Sequence, residues 1–472
     1  MVSYAVLLDR ATFLNQITSD NTHLQSVSLS EQAAQARSEE GSLIFAPSAY
    51  SNIQVTSDGK LTTNRLVTYD SILSENYSAG LRAMTRFGLE AKLHYDIARI
   101  TYINPVSGLP ASLSQGMGLS SSAFINSTYN NAAPTLDLTQ SIWGGGFGRT
   151  QKATEAQMRS GAKSAELNAG YQKRAILVDA EATYWRLSTA RQLVKIQKEA
   201  ESRAKKILSW STRRADLGLE DQSDALQAEA LAKSRTLERA SSESEEHSAA
   251  RAFNAARGIS SDDVPEELEP LNDSMELPKK ALHRIDVLAA EAQSLSIRAS
   301  AQLNRERNLP TLEAFTSIAL NGQQTGGLYG TIGASIQNSF SLVRPTIMGG
   351  IRFSLPLDFE TTKNARRGWA LEESAAERDI IRRQFDEEQS WLEITKKYAD
   401  TKTHLELART LETIQASKLA REQERLSHGR TTLFQVLQFE QDYSLAQLVR
   451  IQDESALVKA LTQMKLFEDK DL

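Results

Sequence analysis

Two periods of hydrophobic and polar residues divide the chain. In 77–87, Tyr77, Ala79, Leu81, Ala83 and Phe87 fall on one side of an extended strand, and Ser78, Arg82 and Arg86 on the other. The next run, 89–103, sets Leu89, Ala91, Leu93, Tyr95 and Ile97 against Glu90, Lys92, His94 and Asp96. Ile347, Ile351, Phe353, Leu355 and Leu357 alternate with Met348, Arg352 and Ser354 in 346–358, and Leu312, Ala314, Ile318 and Leu320 mark 311–321. With further strands at about 45–57 and 135–143, this predicts six strands of roughly ten residues, apolar on one face and polar on the other, as in a lipid-facing barrel. A soluble sheet with one buried face would need a cover, and no predicted helix is left over to provide it. Phe87-Gly88 reads as a tight turn. Residues 105–134 and 321–345, rich in Gly, Ser, Asn and Gln, read as long external loops.

Away from the strands the period lengthens. The ten prolines leave 135–264 and everything after Pro356 free of proline. Proline inside a helix costs about 3 kcal/mol, so both runs can be helical. Gly218 is the only glycine between Gly170 and Gly258, and Gly429 the only one after Gly368. Each is followed by N-cap candidates, Asp221 and Ser223 in the first case and Thr431 and Thr432 in the second. A helix C-cap at a sharp reversal explains each glycine better than a tolerated interior position. The predicted helices are 149–216 and 360–428 before the reversals, 219–257 and 431–467 after them, and 9–40 and 278–309 ahead of the strands. The two long ones would each measure roughly 100 Å. Such helices cannot close a globular core and must pack as coiled coils. Leu193, Ala200 and Ile207 recur every seven residues, as do Phe385, Leu392 and Ala399, while Leu407, Leu411 and Ile414 lie at i, i+4 and i+7.

The two reversals are 211 residues apart, and Leu136–Ile142 is similar to Ile351–Leu357 at an offset of 215, so the chain reads as an internal duplication. The first repeat, 1–257, holds a helix, four strands, a long helix, a tip at Gly218 and a return helix. An equatorial linker, 258–277, leads to the second repeat, 278–472, with two strands and a tip at Gly429. Pro47 to Leu138 is 48 residues longer than Pro310 to Phe353, and the excess covers the strands 77–87 and 89–103. Two added strands preserve chain direction.

Composition narrows the classes. With 40% apolar and 24% charged residues the chain is neither disordered nor lipid-like throughout. A net charge of −5 gives no basic footprint for nucleic acid. Without cysteine, disulfides, thiolate catalysis and sulfur-ligated zinc are excluded. No apolar stretch is long enough for a transmembrane helix, a test that barrels escape. Met1 to Leu14 carries Asp9 and Arg10 and is not an intact secretory signal. The expectation is either a cytosolic chain or a signal already removed.

Strands framed by paired long helices, twice over, resemble the TolC-type outer-membrane factor family, the exit ducts of bacterial efflux and type I secretion systems. Leu136-Asp-Leu-Thr-Gln140-Ser-Ile142 is similar to the family's strand-to-helix entry. Arg284-Ile-Asp286-Val-Leu-Ala-Ala-Glu-Ala-Gln293 resembles the start of its second repeat, where the family often has proline in place of Ile285. The resemblance implies a mainly α chain that adds strands to a membrane β-barrel, a homotrimer, one shared barrel in outer-membrane lipid, and a coiled-coil tunnel in the periplasm. It also implies docking of a periplasmic adaptor and an inner-membrane pump at tips formed by Leu217, Gly218 and Leu219 and by Gly429, Arg430 and Thr431. In the family, aspartates and an arginine–tyrosine network constrict the tip end. Asp224 matches the first-repeat aspartate with Arg214 and Arg430 nearby, but Gln435 and Gln438 stand where the archetype has aspartates, Leu426 replaces its tyrosine, and Thr431 its arginine. The archetype contributes four strands per protomer. Six would give about 18 in a trimer and a mouth about half again as wide, with Tyr77, Leu81, Phe87, Leu89, Leu93, Tyr95, Ile351 and Phe353 facing lipid. The competing arrangement, an external hairpin above a twelve-strand barrel, exposes an apolar face to water.

No active site emerges. The six histidines are scattered without paired ligand spacing. Gly144-Gly-Gly-Phe-Gly148 lacks the lysine of a phosphate loop and reads as a strand-to-helix bend. No enzyme activity, cofactor or metal is predicted. Read alone, the helices also suit a soluble coiled-coil scaffold or a periplasmic adaptor subunit, but an adaptor would carry a lipoyl-like domain of small strands between its helices.

Overall fold

The computed structural model describes residues 7–60, 67–103, 106–107, 128–218, 221–272, 276–323 and 331–468. In chain order the elements are β1 (Leu7–Leu8), α1 (Arg10–Asp20), α2 (Thr22–Ala36), β2 (Ser48–Asp58), β3 (Val67–Thr68), β4 (Ser71–Met84), β5 (Leu89–Ile103), β6 (Val106–Ser107) and β7 (Thr128–Trp143). There follow α3 (Arg149–Asp216), α4 (Gln222–Ala256), β8 (Glu267–Leu268), α5 (Ile285–Arg307), β9 (Thr311–Leu320), α6 (Ile332–Asn338), β10 (Pro345–Ser354), α7 (Phe359–Ser427) and α8 (Leu433–Met464). They form two compact units that cut across the repeats. One takes Met1–Gln35, Lys163–Ala292 and Arg378–Leu472, the other Ala36–Ala162 and Gln293–Glu377.

The helical unit is built on the middle of α3. Phe13 and Phe253 stack at 4.4 Å beside Tyr184, and Leu24, Leu177 and Trp185 complete the buried cluster. The Tyr184 hydroxyl donates to the Leu8 carbonyl at 2.7 Å and accepts the Glu269 N–H at 2.9 Å, so it ties down both strands of the parallel β1–β8 pair. Burial pushes its pKa up to about 12. Beside it, buried Glu181 is held by Arg10 at 3.2 Å and by Lys465 at 2.6 Å, and accepts a hydrogen bond from Trp185 at 3.3 Å. Burial holds the Lys465 ammonium below its usual pKa, against the attraction of Glu181. Breaking such a buried pair from one side is far costlier than the pair's net contribution.

Two predicted helices are shorter than expected. The first, 9–40, breaks at Asn21, which is extended at φ −77° and ψ 109°. Its side chain accepts the Leu24 N–H at 2.9 Å and donates to the Ala256 carbonyl at 2.7 Å, so a local cap competes with helix continuation and joins this break to the end of α4. Beyond α2 the chain tightens into a 3₁₀ turn, Arg37–Phe45. In 278–309 the helix starts only at Ile285. Ahead of it Lys280 forms a bridge with Glu468, and Arg284 clamps Asp286 at 2.6 Å while its guanidinium lies over Phe467.

In the other unit, β2, β4, β5, β7, β9 and β10 form one antiparallel sheet in the order β10-β9-β7-β5-β4-β2. The strands 77–87 and 89–103 thus lie inside the sheet, as β4 and β5, and β4 extends back to Ser71. Thr85 to Gly88 make the turn between them, with Gly88 at φ +75°. Arg86 is therefore off the strand, and it pairs with Glu155 at 3.0 Å.

The stretch 321–345 is not simply an external loop. It contains α6, which shields the edge of β7 beyond the end of β9. Ser335 donates to the Asn130 carbonyl at 3.1 Å, and the Gly322 N–H to that of Ala132 at 2.8 Å. Of the other expected loop, 105–134, most lies outside the described residues.

Candidate functional site

The pleat separates two chemistries across the sheet. Ala49, Leu81, Leu93, Leu136, Ile318 and Ile347 stand in one register row, one from each strand, on the apolar face. Leu81, Leu93, Ile347, Ile351 and Phe353 are all more than half exposed. The opposite face carries Arg82 against Glu90 at 2.7 Å, Lys92 against Glu90 at 3.2 Å, and His94 between Asp96 at 2.8 Å and Asp137 at 3.1 Å. The apolar band ends at Tyr77 and Ile97, because the next pair on that face is the ion pair Glu75–Arg99 at 3.5 Å. From Leu89 to Ile97 the strand advances by roughly 27 Å, about 20 Å of height at a barrel tilt near 40°, close to the ~25 Å apolar belt of an outer-membrane barrel. Aromatic side chains stand at both ends: Tyr77 and Tyr95 at one, exposed Phe87, Trp143 and Phe147 at the other. Two expected lipid contacts are less open than predicted. Leu89 is half-buried, and the Tyr95 hydroxyl hydrogen-bonds Ser339 at 2.8 Å with Phe340 stacked beside its ring. Phe87 lies in the turn under Lys152.

At the far ends of α3 and α7 the chain reverses through Gly218 and Gly429, at φ +67° and +69°. Open space surrounds both α-carbons, so backbone conformation alone demands glycine. In the second reversal the Gly429 N–H bonds Leu426 O at 2.9 Å and the Arg430 N–H bonds Arg425 O at 2.9 Å, a Schellman closure. Leu217 is exposed beside Gly218, and Leu219 lies outside the described residues.

The cap of α4 is Asp221, whose carboxylate accepts the Ser223 N–H at 2.9 Å, which leaves Asp224 half-buried in the first helical turn with no capping duty. Arg214 lies over the Trp210 ring. The Thr431 hydroxyl lies within hydrogen-bond reach of Glu422 and Gln435, and Gln438 donates to Asp442 at 3.2 Å. Ile207, Ala228, Leu419, Leu433 and Val436 make the buried core beneath the reversals.

Behind that core sits a network that periodicity did not single out. Arg203 on α3 donates through Nε to both oxygens of fully buried Glu440, at 2.9 and 3.1 Å, and through Nη2 to Gln447 at 3.3 Å. Tyr443 lies under the guanidinium, and the charge of buried Arg235 on α4 also acts on Glu440. Burial raises the Glu440 pKa despite both arginines. A signal was available: Glu440 falls on the same α8 stripe as Leu433 and Val436, at i+7 and i+4, where an apolar residue is expected.

The heptad seams differ. Ala200 and Ile207 of α3 are buried, whereas Phe385, Leu392, Leu407 and Ile414 of α7 are all more than half exposed in the single chain. Among the described residues no group of three His, Cys, Asp or Glu is placed to hold a metal, and no helix is long and apolar enough to cross a membrane.

No protein-family model and no curated protein matches the sequence. Solved structures do match in fold. The outer-membrane channel OprN superposes with a TM-score of 0.66 at 15% identity, over 97% of this chain and 89% of its own. The Campylobacter jejuni CmeC outer membrane channel gives 0.63 at 15% identity, over 98% and 87%. The outer membrane protein VceC of Vibrio cholerae gives 0.62 at 14% identity, over 98% and 97%. The chain has the fold of the TolC-type outer-membrane channels, a long helical part with barrel strands.

Glu440 gives this region a pH signature. A carboxyl whose folded pKa is raised binds its proton more readily folded than unfolded, so its contribution to stability falls as pH rises from the ordinary carboxylate range through the raised value. The stability of the wild type relative to Glu440→Gln should rise as pH falls from neutral, because at this position only the wild-type side chain takes up a proton. A wild type that loses ground to the variant as pH falls would contradict this.

Proposed function

We propose that the chain is an outer-membrane export duct, with its strands in outer-membrane lipid and its helices in the periplasm. The observation that carries this reading is the sheet: one face apolar and exposed, the other charged, and both edge strands unpaired among the described residues. Such a sheet fits lipid outside and water inside, provided that further copies close its edges. The exposed α7 seam asks for the same partners, and the resemblance supplies their number, a homotrimer. Six strands per copy then make about 18 and a mouth wider than a twelve-strand one. The duct carries substrate without a catalytic step. An adaptor role is disfavoured because the described strands between the helices form one broad sheet rather than a small lipoyl-like domain.

The barrel wall is tested with a polarity-sensitive spin label on Leu93→Cys and Lys92→Cys, in a chain that has no native cysteine. Position 93 should report lipid and position 92 water. Equal water access at both sinks the barrel wall.

The reversals are the parts of the helices free to meet a periplasmic adaptor and its pump, through Leu217-Gly218-Leu219 and Gly429-Arg430-Thr431. A β-branched residue at a left-handed position is strained by roughly 1–2 kcal/mol or more. Gly218→Val and Gly429→Val should therefore lower export severalfold while trimer abundance stays normal. Full export by both variants would remove the tips from the docking role.

Asp224, released from capping, is the pore-lining carboxylate of this end. Three copies around one axis favour cations, with Gln435 and Gln438 adding a neutral second ring. Asp224→Asn should reduce cation preference in planar bilayers. An unchanged preference would leave Asp224 a surface residue of the first turn.

A further inference from the structure

The strand ends toward the helices step out from β2 to β7 and then stay level through β9 and β10. A register row through Ser48 passes Arg82, Lys92, Asp137, Ser317 and Met348. Ser48 begins β2, yet β4 runs two residues past Arg82 to Met84, β5 starts three residues before Lys92, and β10 runs six residues past Met348 to Ser354. One copy thus builds in a stagger of six residues over six strands. If that end of the sheet is to stay level around a closed wall, Ser48 of the next copy must stand beside Ser354.

The edges fit that placement. We propose that β10 pairs antiparallel with β2 of the next copy, with Phe353 opposite Ala49, Ile351 opposite Ser51, Gly349 opposite Ile53 and Ile347 opposite Val55. This rests on the barrel-wall reading above and adds its register. All ten residues of β10 are then paired, against Ser48–Ser57. A slide of two residues either way keeps the faces matched but leaves β10 residues without a partner in β2.

On the apolar face the register sets Phe353 on alanine, Ile351 on serine and Ile53 on glycine, and pairs the branched side chains of Ile347 and Val55. On the charged face it puts Arg352 over Tyr50 and Thr346 beside Thr56. Pro345, which has no N–H to donate, falls at the first position of the seam, where strands tolerate proline. A stagger of one residue per strand corresponds to a tilt of about 35°, within the range of closed barrels, whereas the slide that shortens the stagger gives about 25°.

Because the chain lacks cysteine, introduced pairs report cleanly. Ser51→Cys with Ile351→Cys probes the apolar face, and Gln54→Cys with Met348→Cys the charged face; one of the two has the side-chain spacing that disulfides favour. Outer-membrane preparations oxidised with copper phenanthroline should give reducible covalent dimers and trimers from at least one of these pairs. Yields should be about tenfold lower for the slid pairs Ser51→Cys with Gly349→Cys and Ser51→Cys with Phe353→Cys. Outer-membrane oligomers that crosslink best at a slid pair, or at none of these pairs, overturn the seam and leave the export duct standing. A chain absent from the outer membrane overturns the duct and the seam together.

Discussion

An edge strand in lipid cannot leave its N–H and C=O groups unpaired, because no water is present to take them. In the proposed barrel that constraint runs through the strand unit. Within the chain it is met wherever strands overlap, and where β7 outruns β9 it is met by other means: Ser335 and Gly322 donate to its carbonyls and α6 covers its flank. Among the described residues, β2 and β10 are the edge strands, and neither has a neighbour on its outer side. Adding the hairpin β4–β5 does not alter this, since a pair of strands inserted in the middle of a sheet leaves the same two edges open.

The helices show a similar division between what one chain completes and what it leaves for others. The middle of α3 is enclosed by aromatic packing around Tyr184 and by the charges on Glu181, which together fasten the N-terminal segment, the linker and the C-terminal turn to one helix. The seam of α7 has the same heptad spacing but faces outward. A coiled-coil pattern specifies that a partner exists, not whether that partner is in the same chain.

The reversals of the long helices are closed by backbone bonds that require only glycine, and Trp210, Phe439 and Tyr443 pack around the buried aliphatic core below. The charged network of Arg203, Glu440 and Arg235 joins three helices just behind that core. A buried carboxylate held by Arg203, in the field of Arg235, fixes α3 against α8 at a cost in desolvation.

Much of this was legible in the residues. Period-two alternation marked the strands of the apolar band, since side chains of an extended chain must alternate. The scarcity of proline and glycine marked α3 and α7 to within a residue at either end, and Gly218 and Gly429 marked the reversals. These are local properties, set by backbone sterics and by one face of one element. The break at Asn21, the placement of α6 on β7, the burial of Glu181 and Glu440, the turn position of Arg86 and the stagger of the strands were not legible. Each depends on a partner tens to hundreds of residues away. A charged residue on a helix reads as solvated until another helix covers it, and a strand's register is decided by the neighbour whose hydrogen bonds it shares.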